Sequence, residues 1–337
     1  MELESDGNIV GANFPIFQLS DGDKASLKAD RAADGTLKAV VRGDVFDVRG
    51  MLKRMSEGSV QTGPVQAKGY RPRDLDLELK IGAASGHHGE VIRQLDLRVL
   101  RRNSEIRSFA LHGKIGRDST LSGELRARDG GRPVLYITSG DAGALFRYAD
   151  YYSRIQGGEG RIVFDAPRFD GSAQDGTIDI RSFSIRGEPA LDRLVMAAPP
   201  ERTGGRPNSG PSIGFSNLQI AFNRTPGKFA IKQGLMYGDI LGARVDGVLD
   251  YALNYVKLRG NYIPAYGLNN AAARAFFFLG SAPNEGLFAI AFEIAGPASG
   301  PTLRVNPVSG MIPGIMGKLF DFPALESAPP AATSERN

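Results

Sequence analysis

Leu75-Asp-Leu-Glu-Leu-Lys-Ile81 alternates without a break: Leu75, Leu77, Leu79 and Ile81 fall on one side, and Asp76, Glu78 and Lys80 on the other. A strand turns successive side chains to opposite faces, so strict period-2 alternation marks a half-buried strand. The pattern recurs. Leu95, Leu97 and Val99 oppose Asp96 and Arg98. Phe109, Leu111 and Ile115 oppose His112 and Lys114, and Leu121, Leu125 and Ala127 oppose Ser122, Glu124 and Arg126. Gly86, Asn103, Asp118 and Asp129-Gly130-Gly131 separate these runs with turn chemistry. Short strands so spaced predict a mainly β chain folded as an antiparallel meander.

Short helices punctuate the strands. Asp47 caps a stripe of Val48, Met51, Leu52 and Met55, which Gly58 stops, predicting a helix over 47–57. Asp141 caps Leu145, Tyr148, Ala149 and Tyr152, which Gly157-Gly158 stops, predicting a second over 141–156. The two caps stand about 94 residues apart and suggest a weak internal repeat of strands, capping helix and strands. A third helix is expected over 189–196, with Pro189 in its first turn. Residues 199–211 (PPERTGGRPNSGP) read as a linker or long loop between an N-terminal region, 1–198, and a C-terminal β region, 212–322. In the latter, strands are expected at Ile213–Phe222, Phe229–Leu235, Ala243–Tyr255, Leu258–Tyr262, Phe288–Ile294 and Thr302–Val305. The Pro- and Ala-rich tail, 323–337, is expected to be disordered.

Chemistry is hard to find in these residues. With no Cys there is no thiol nucleophile, thiolate zinc site or disulfide. The charge of +4 is scattered along strands without the basic run a nucleic-acid footprint needs. His87 and His88 fall in a turn, where adjacent side chains do not converge on a metal, and His112 faces the polar side of its strand. Asp74, Asp76 and Glu124 lie on polar faces or strand ends rather than in a cleft. The Ser-Gly pairs, Ser139-Gly140 among them, form no nucleophile elbow, and glycines are expected at turns, helix stops and strand ends. No enzyme, metal or cofactor is expected. The N-terminus carries no basic and apolar leader, and no stretch reaches the roughly 18 apolar residues of a spanning helix.

Apolar surface is what remains. Ala271–Leu279 carries Phe276, Phe277 and Phe278 in a row and is apolar almost all round. Phe288, Ile290, Phe292 and Ile294 share one strand face, while Leu287, Ala289 and Ala291 make the other apolar too. Such a strand is either central to a packed core or touches something that is not protein. A broad sheet with one apolar face and no long helices must close on itself, stack on another sheet, or hold ligand.

Gly260-Asn-Tyr-Ile-Pro-Ala-Tyr-Gly-Leu-Asn269, Glu285-Gly-Leu-Phe-Ala-Ile-Ala-Phe-Glu-Ile-Ala-Gly296, Pro301-Thr-Leu-Arg-Val-Asn-Pro-Val-Ser309 and Pro313-Gly314 resemble the C-terminal region of AsmA-like envelope proteins. The likeness is greatest to the large YhdP-type members of the AsmA/YhdP/TamB group. The pattern at Asp141–Gly158 is similar to the same family. The resemblance implies an elongated, twisted antiparallel sheet curled into an apolar groove. It implies a periplasmic location, an inner-membrane anchor that would lie outside this sequence, and transfer of phospholipid toward the outer membrane. The segment between Phe278 and Gly286 is short for the family, and the anchor is not in this sequence, as expected of a C-terminal fragment, a split gene or a misplaced start. On this reading Leu75, Leu77, Leu79, Leu95, Leu97, Leu121, Leu125, Phe288, Ile290, Phe292 and Ile294 line the groove, with Phe276, Phe277 and Phe278 touching lipid or membrane. Met311, Ile312, Ile315, Met316, Leu319 and Phe320 recur at helical spacing and are expected to form a tip for a membrane or partner, or else a packed terminal cap. The expected partners are a phospholipid or other acyl-chain ligand and a membrane surface, not nucleic acid. The alternative is an assembly factor that binds strands of outer-membrane proteins at a sheet edge. A polysaccharide hydrolase would need a carboxylate pair in a cleft, for which no sign is present.

Overall fold

A computed structural model describes residues 2–3, 9–56, 74–168, 172–189, 191–192, 212–238, 241–264, 290–298 and 300–306. The first nine strands are β1 (Glu2–Leu3), β2 (Ile9–Phe17), β3 (Lys24–Arg31), β4 (Leu37–Asp47), β5 (Leu75–Ser85), β6 (Val91–Arg102), β7 (Glu105–Ile115), β8 (Ser119–Arg126) and β9 (Val134–Ser139). The rest are β10 (Ile155–Asp165), β11 (Gln174–Arg186), β12 (Ser212–Thr225), β13 (Lys228–Tyr237), β14 (Leu241–Asp250), β15 (Tyr255–Pro264), β16 (Ile290–Pro297) and β17 (Thr302–Asn306). Helix α1 (Arg49–Ser56) follows β4, and α2 (Ala142–Tyr148) follows β9. All the strands belong to one sheet, which does not close into a barrel.

Each strand is hydrogen-bonded to its neighbours in sequence. Every ladder is antiparallel except β4–β5, which is parallel. The expected all-antiparallel meander is corrected there, because the connection through α1 returns the chain to the end from which β4 began. The expected repeat is corrected with it, since α2 joins the antiparallel pair β9–β10. Gly157 and Gly158 stand inside β10 rather than at the end of a helix, and the expected strand Ala243–Tyr255 is broken by the turn Tyr251–Asn254. Of the expected third helix, Pro189, Leu191 and Asp192 are described, and they are helical.

Laterally paired residues share a face, so the register can be followed across the whole sheet. From β2 to β9 one row reads Phe14, Leu27, Val41, Leu79, Leu97, Leu111, Gly123 and Ile137. From β10 to β17 it continues through Ile162, Ile178, Ile220, Gly234, Val245, Gly260, Phe292 and Val305. Every member is apolar or glycine. The adjacent row on the opposite face includes Arg42, Lys80, Asp96, His112, Ser122, Thr138, Arg161, Asp179 and Gln219. Ion pairs such as Arg161–Asp179 (3.0 Å) lie across that polar face.

Alternation breaks along two lines. Asp44, Gly82 and Gln94 are passed over in the ladders of β4, β5 and β6, and Gly158, Ser182 and Ser216 in those of β10, β11 and β12. Gln94, Gly158 and Ser182 have φ of 52°, 88° and 52°. A left-handed residue kinks a strand and flips its parity. Ile180 and Phe183 are therefore buried together although three residues apart, and so are Ile81 and Ala84, either side of the passed-over Gly82. Because neighbouring strands kink in step, their pairing survives while the sheet bends.

Glycines inside strands make room on the apolar face, contrary to the expectation that they mark only turns and ends. A Cβ at Gly123, Gly176 or Gly260 would run into the ring of Phe109, Phe222 or Phe292 respectively. In each pair the ring lies over the bare backbone of a neighbouring strand. Gly176→Ala should therefore destabilise the fold by about 1–3 kcal/mol, the usual cost of overpacking. Gly214→Ala, where nothing stands within 4 Å of the added methyl, should be nearly neutral. Equal melting temperatures for the two variants would contradict this packing.

Candidate functional site

The apolar face gathers nine of the ten described residues expected to line a groove onto three adjacent rows. Leu79, Leu97 and Phe292 are in the row traced above. Leu77, Leu125 and Ile294 lie one row toward the strand ends remote from α2. Leu95, Leu121 and Ile290 lie one row toward α2. Leu75 sits farther out, between Leu37 and Arg101 at the sheet's rim, so it borders the face rather than lining its middle. Phe276, Phe277, Phe278 and Phe288 fall outside the described residues, as do Met311, Ile312, Ile315, Met316, Leu319 and Phe320. The expected lining omits Ile137, Ile162, Ile178 and Ile220, which bridge its two halves. Ile178 and Ile180 could have been found, since they alternate with Asp179 and Arg181 in the sequence.

Burial deepens across these rows. Toward α2, Ile81, Leu121, Ile180, Tyr262 and Ile290 are buried. In the remote row Leu77, Val99, Phe109, Leu125, Phe164, Leu258 and Ile294 are half-buried, while Ala12, Ala29, Leu135 and Phe222 are buried. The face also divides lengthwise into two packed clusters. One holds Val41, Phe46, Leu79, Ile81, Leu95 and Leu121 of β4–β8. The other holds Ile178, Ile180, Phe215, Leu241, Tyr262 and Phe292 of β11–β16.

Helix α2 stands between the clusters. Its Ala144 and Tyr148 pack into the first and its Ala142 into the second, where Phe146 also rests. Asp141 caps it by accepting from Ala144 N at 2.8 Å. Arg147 Nη2 meets Glu90 Oε1 at 2.8 Å, with both side chains 17% exposed, and Nη1 donates to Ile155 O. The Tyr148 ring lies against Gly86, and burial pushes its phenol well above the ordinary tyrosine range. Glu90 and Gly86 belong to the β5–β6 connection, four strands before β10. On a flat sheet those strands would be about 19 Å apart, so these contacts report the curl of the first half. His87 and His88 lie in this connection as a short 3-10 turn, as expected. They are not simply solvated, because His88 Nε2 stands 2.7 Å from Asp150 Oδ1 after α2.

Among the described residues no group of three or more His, Asp or Glu is placed to hold a metal ion. A Gly-x-Ser-x-Gly string does occur, Gly210-Pro211-Ser212-Ile213-Gly214, but its Ser212 opens the long strand β12 opposite Arg186. A nucleophile elbow needs a sharp turn from strand into helix. No helix among the described residues is long and apolar enough to cross a membrane. No protein-family model, curated protein or solved structure compared with the chain matches it.

The end of the sheet near α2 carries one titration that the fold feels. A bidentate hydrogen bond from Arg49 holds the Asp47 carboxyl down at about 2, where Asp47 also accepts from Arg49 N. A folded-state pKa below the unfolded one stabilises at pH above about 4, and the gain is lost as pH falls through about 2. Arg49 is 57% exposed, so screening holds the effect to about 1 kcal/mol or less. Asp47→Asn should lower stability at pH 7 by that amount and leave it unchanged near pH 2, as acid-dependent urea melts would read.

Proposed function

We propose that the chain is a non-enzymatic carrier of acyl chains, with phospholipid the expected cargo and the apolar sheet face the binding surface. The observation that carries this reading is the row of apolar residues and glycines that crosses sixteen strands without a polar interruption. Beside it lies an apolar row, half-buried at Leu77, Leu125, Leu258 and Ile294, that no second layer of described sheet covers. Removing an acyl methylene from water is worth about 0.8 kcal/mol. A bound chain therefore gains on the order of 10 kcal/mol with no catalytic group required. The likeness to AsmA-like proteins favours phospholipid transfer within a bacterial envelope, with this chain in the periplasm beside the inner membrane. An assembly factor that captured strands at a sheet edge would need its apolar residues along that edge. Here they run across the strands instead.

Leu258→Glu places a carboxylate on the half-buried row, whereas Asn261→Glu places one on the opposite, polar face of the same strand. A fluorescent fatty-acyl probe should bind Leu258→Glu at least about tenfold more weakly than wild type, since 1.4 kcal/mol suffices for that factor. It should bind Asn261→Glu as wild type does. Equal affinities in both variants, together with an organic extract of the purified protein free of lipid by mass spectrometry, would remove the reading.

A further inference from the structure

Tyr262 carries a polar atom that the apolar cluster does not explain. It lies on β15 between Ala243 and Ile290, 1% exposed, with its ring 6.4 Å from that of Phe292. Its hydroxyl is buried and has no hydrogen-bond partner among the described residues. Tyr152, the other tyrosine that packs against this cluster, donates instead to Glu188 Oε2 at 2.8 Å. A buried hydroxyl without a partner forfeits the bonds it made to water. Phenylalanine would fill the same space without that loss. The hydroxyl thus marks a position where an acceptor belongs.

The surroundings narrow what the acceptor can be. Burial alone raises the Tyr262 phenol, to about 12, and no charged group contributes. The hydroxyl therefore stays protonated and can donate. An ionised carboxylate brought to the same place would find no cation there and would lose its hydration. A neutral carbonyl oxygen would lose much less. On β15 the residues on this face are Leu258, Gly260 and Tyr262 in turn. Leu258 is half-buried, Gly260 has no side chain, and the Phe292 ring covers that gap.

We propose that Tyr262 is a specificity-determining residue that donates its hydroxyl proton to the carbonyl of an esterified acyl chain lying on this face. This rests on the acyl-carrier reading and names the ligand class as acyl ester rather than free fatty acid or plain hydrocarbon. The test compares hexadecane, ionised palmitate and methyl palmitate as competitors of a fluorescent acyl probe, on wild-type protein and on Tyr262→Phe. Wild type should prefer the ester to both other ligands. Tyr262→Phe should lose about 2- to 10-fold in ester affinity, the range of one hydrogen bond. Hexadecane affinity should stay unchanged, and the ligand-free variant should melt no lower than wild type. Equal ester-to-hydrocarbon ratios in the two proteins would overturn the role of Tyr262 and leave the carrier reading intact. Preference for ionised palmitate would overturn the ester assignment. Binding of none of the three by wild type would overturn the carrier reading and this inference with it.

Discussion

Everything in this fold answers to one constraint: an apolar sheet face sixteen strands wide must leave water with, among the described residues, only short helices to cover it. Helices of eight and seven residues cannot roof such a surface. A flat sheet would expose the whole row from Phe14 to Val305, so the sheet has to bend toward its own apolar side. Two features make that bend possible without breaking the ladders. The in-step kinks at Asp44, Gly82 and Gln94, and at Gly158, Ser182 and Ser216, turn several strands at one level. Glycines at Gly123, Gly176, Gly234 and Gly260 remove bulk where side chains on a concave face would collide, and phenylalanine rings lie across three of those gaps. Aromatic cover over a strand glycine is a known way to keep a curved sheet packed.

The bend also explains why so short a helix matters. Helix α2 sits where the two clusters meet and touches both, so each half of the sheet closes against it rather than against the other half. The Arg147–Glu90 pair and the Tyr148 ring over Gly86 tie it to a connection four strands earlier. Arg147 also donates to Ile155 O at the start of β10, so one guanidinium joins both sides of the helix. A buried pair of this kind is weak support for stability in general, but removing one partner strands the other. Its position here suits a role in fixing geometry.

Part of this was legible in the sequence and part was not, for identifiable reasons. Leu75 to Ile81, Leu95 to Val99 and Leu121 to Leu125 obey strict alternation, so their strands, their faces and the mainly β class followed directly. The second half hides the same pattern behind its kinks. Ile178, Ile180, Phe183 and Ile185 share a face only because Ser182 is left-handed, and a period-2 count fails at that residue. Glycines that read as punctuation, Gly157 and Gly158 above all, turned out to lie within strands, because a curved sheet uses them for space as well as for turns. The parallel pairing of β4 with β5 depends on long-range register, which no local pattern encodes. Tyr262 gave no signal at all, since an orphaned hydroxyl is defined by what fails to surround it.

The dimensions of the apolar row bear on how a carrier of this shape would work. Fifteen steps between sixteen strands at about 4.8 Å make a path of about 70 Å. One leaflet of a bilayer, half of its roughly 30 Å hydrocarbon core, measures about 15 Å and is spanned by one acyl chain. A chain laid along the row would cover about a fifth of it, so the row would offer several nearly equivalent positions rather than one fitted pocket. Equivalence favours movement, since a ligand that gains the same burial at each step meets no deep trap. In such a carrier a headgroup would stay in water beside the half-buried positions of the neighbouring row. Donating as proposed, Tyr262 would break the equivalence in the second half by adding one directional hydrogen bond, whose energy is small against the burial of the chain. It would set which end of an acyl ester leads and where it pauses without holding it fast, and for a carrier a stronger bond there would be a defect.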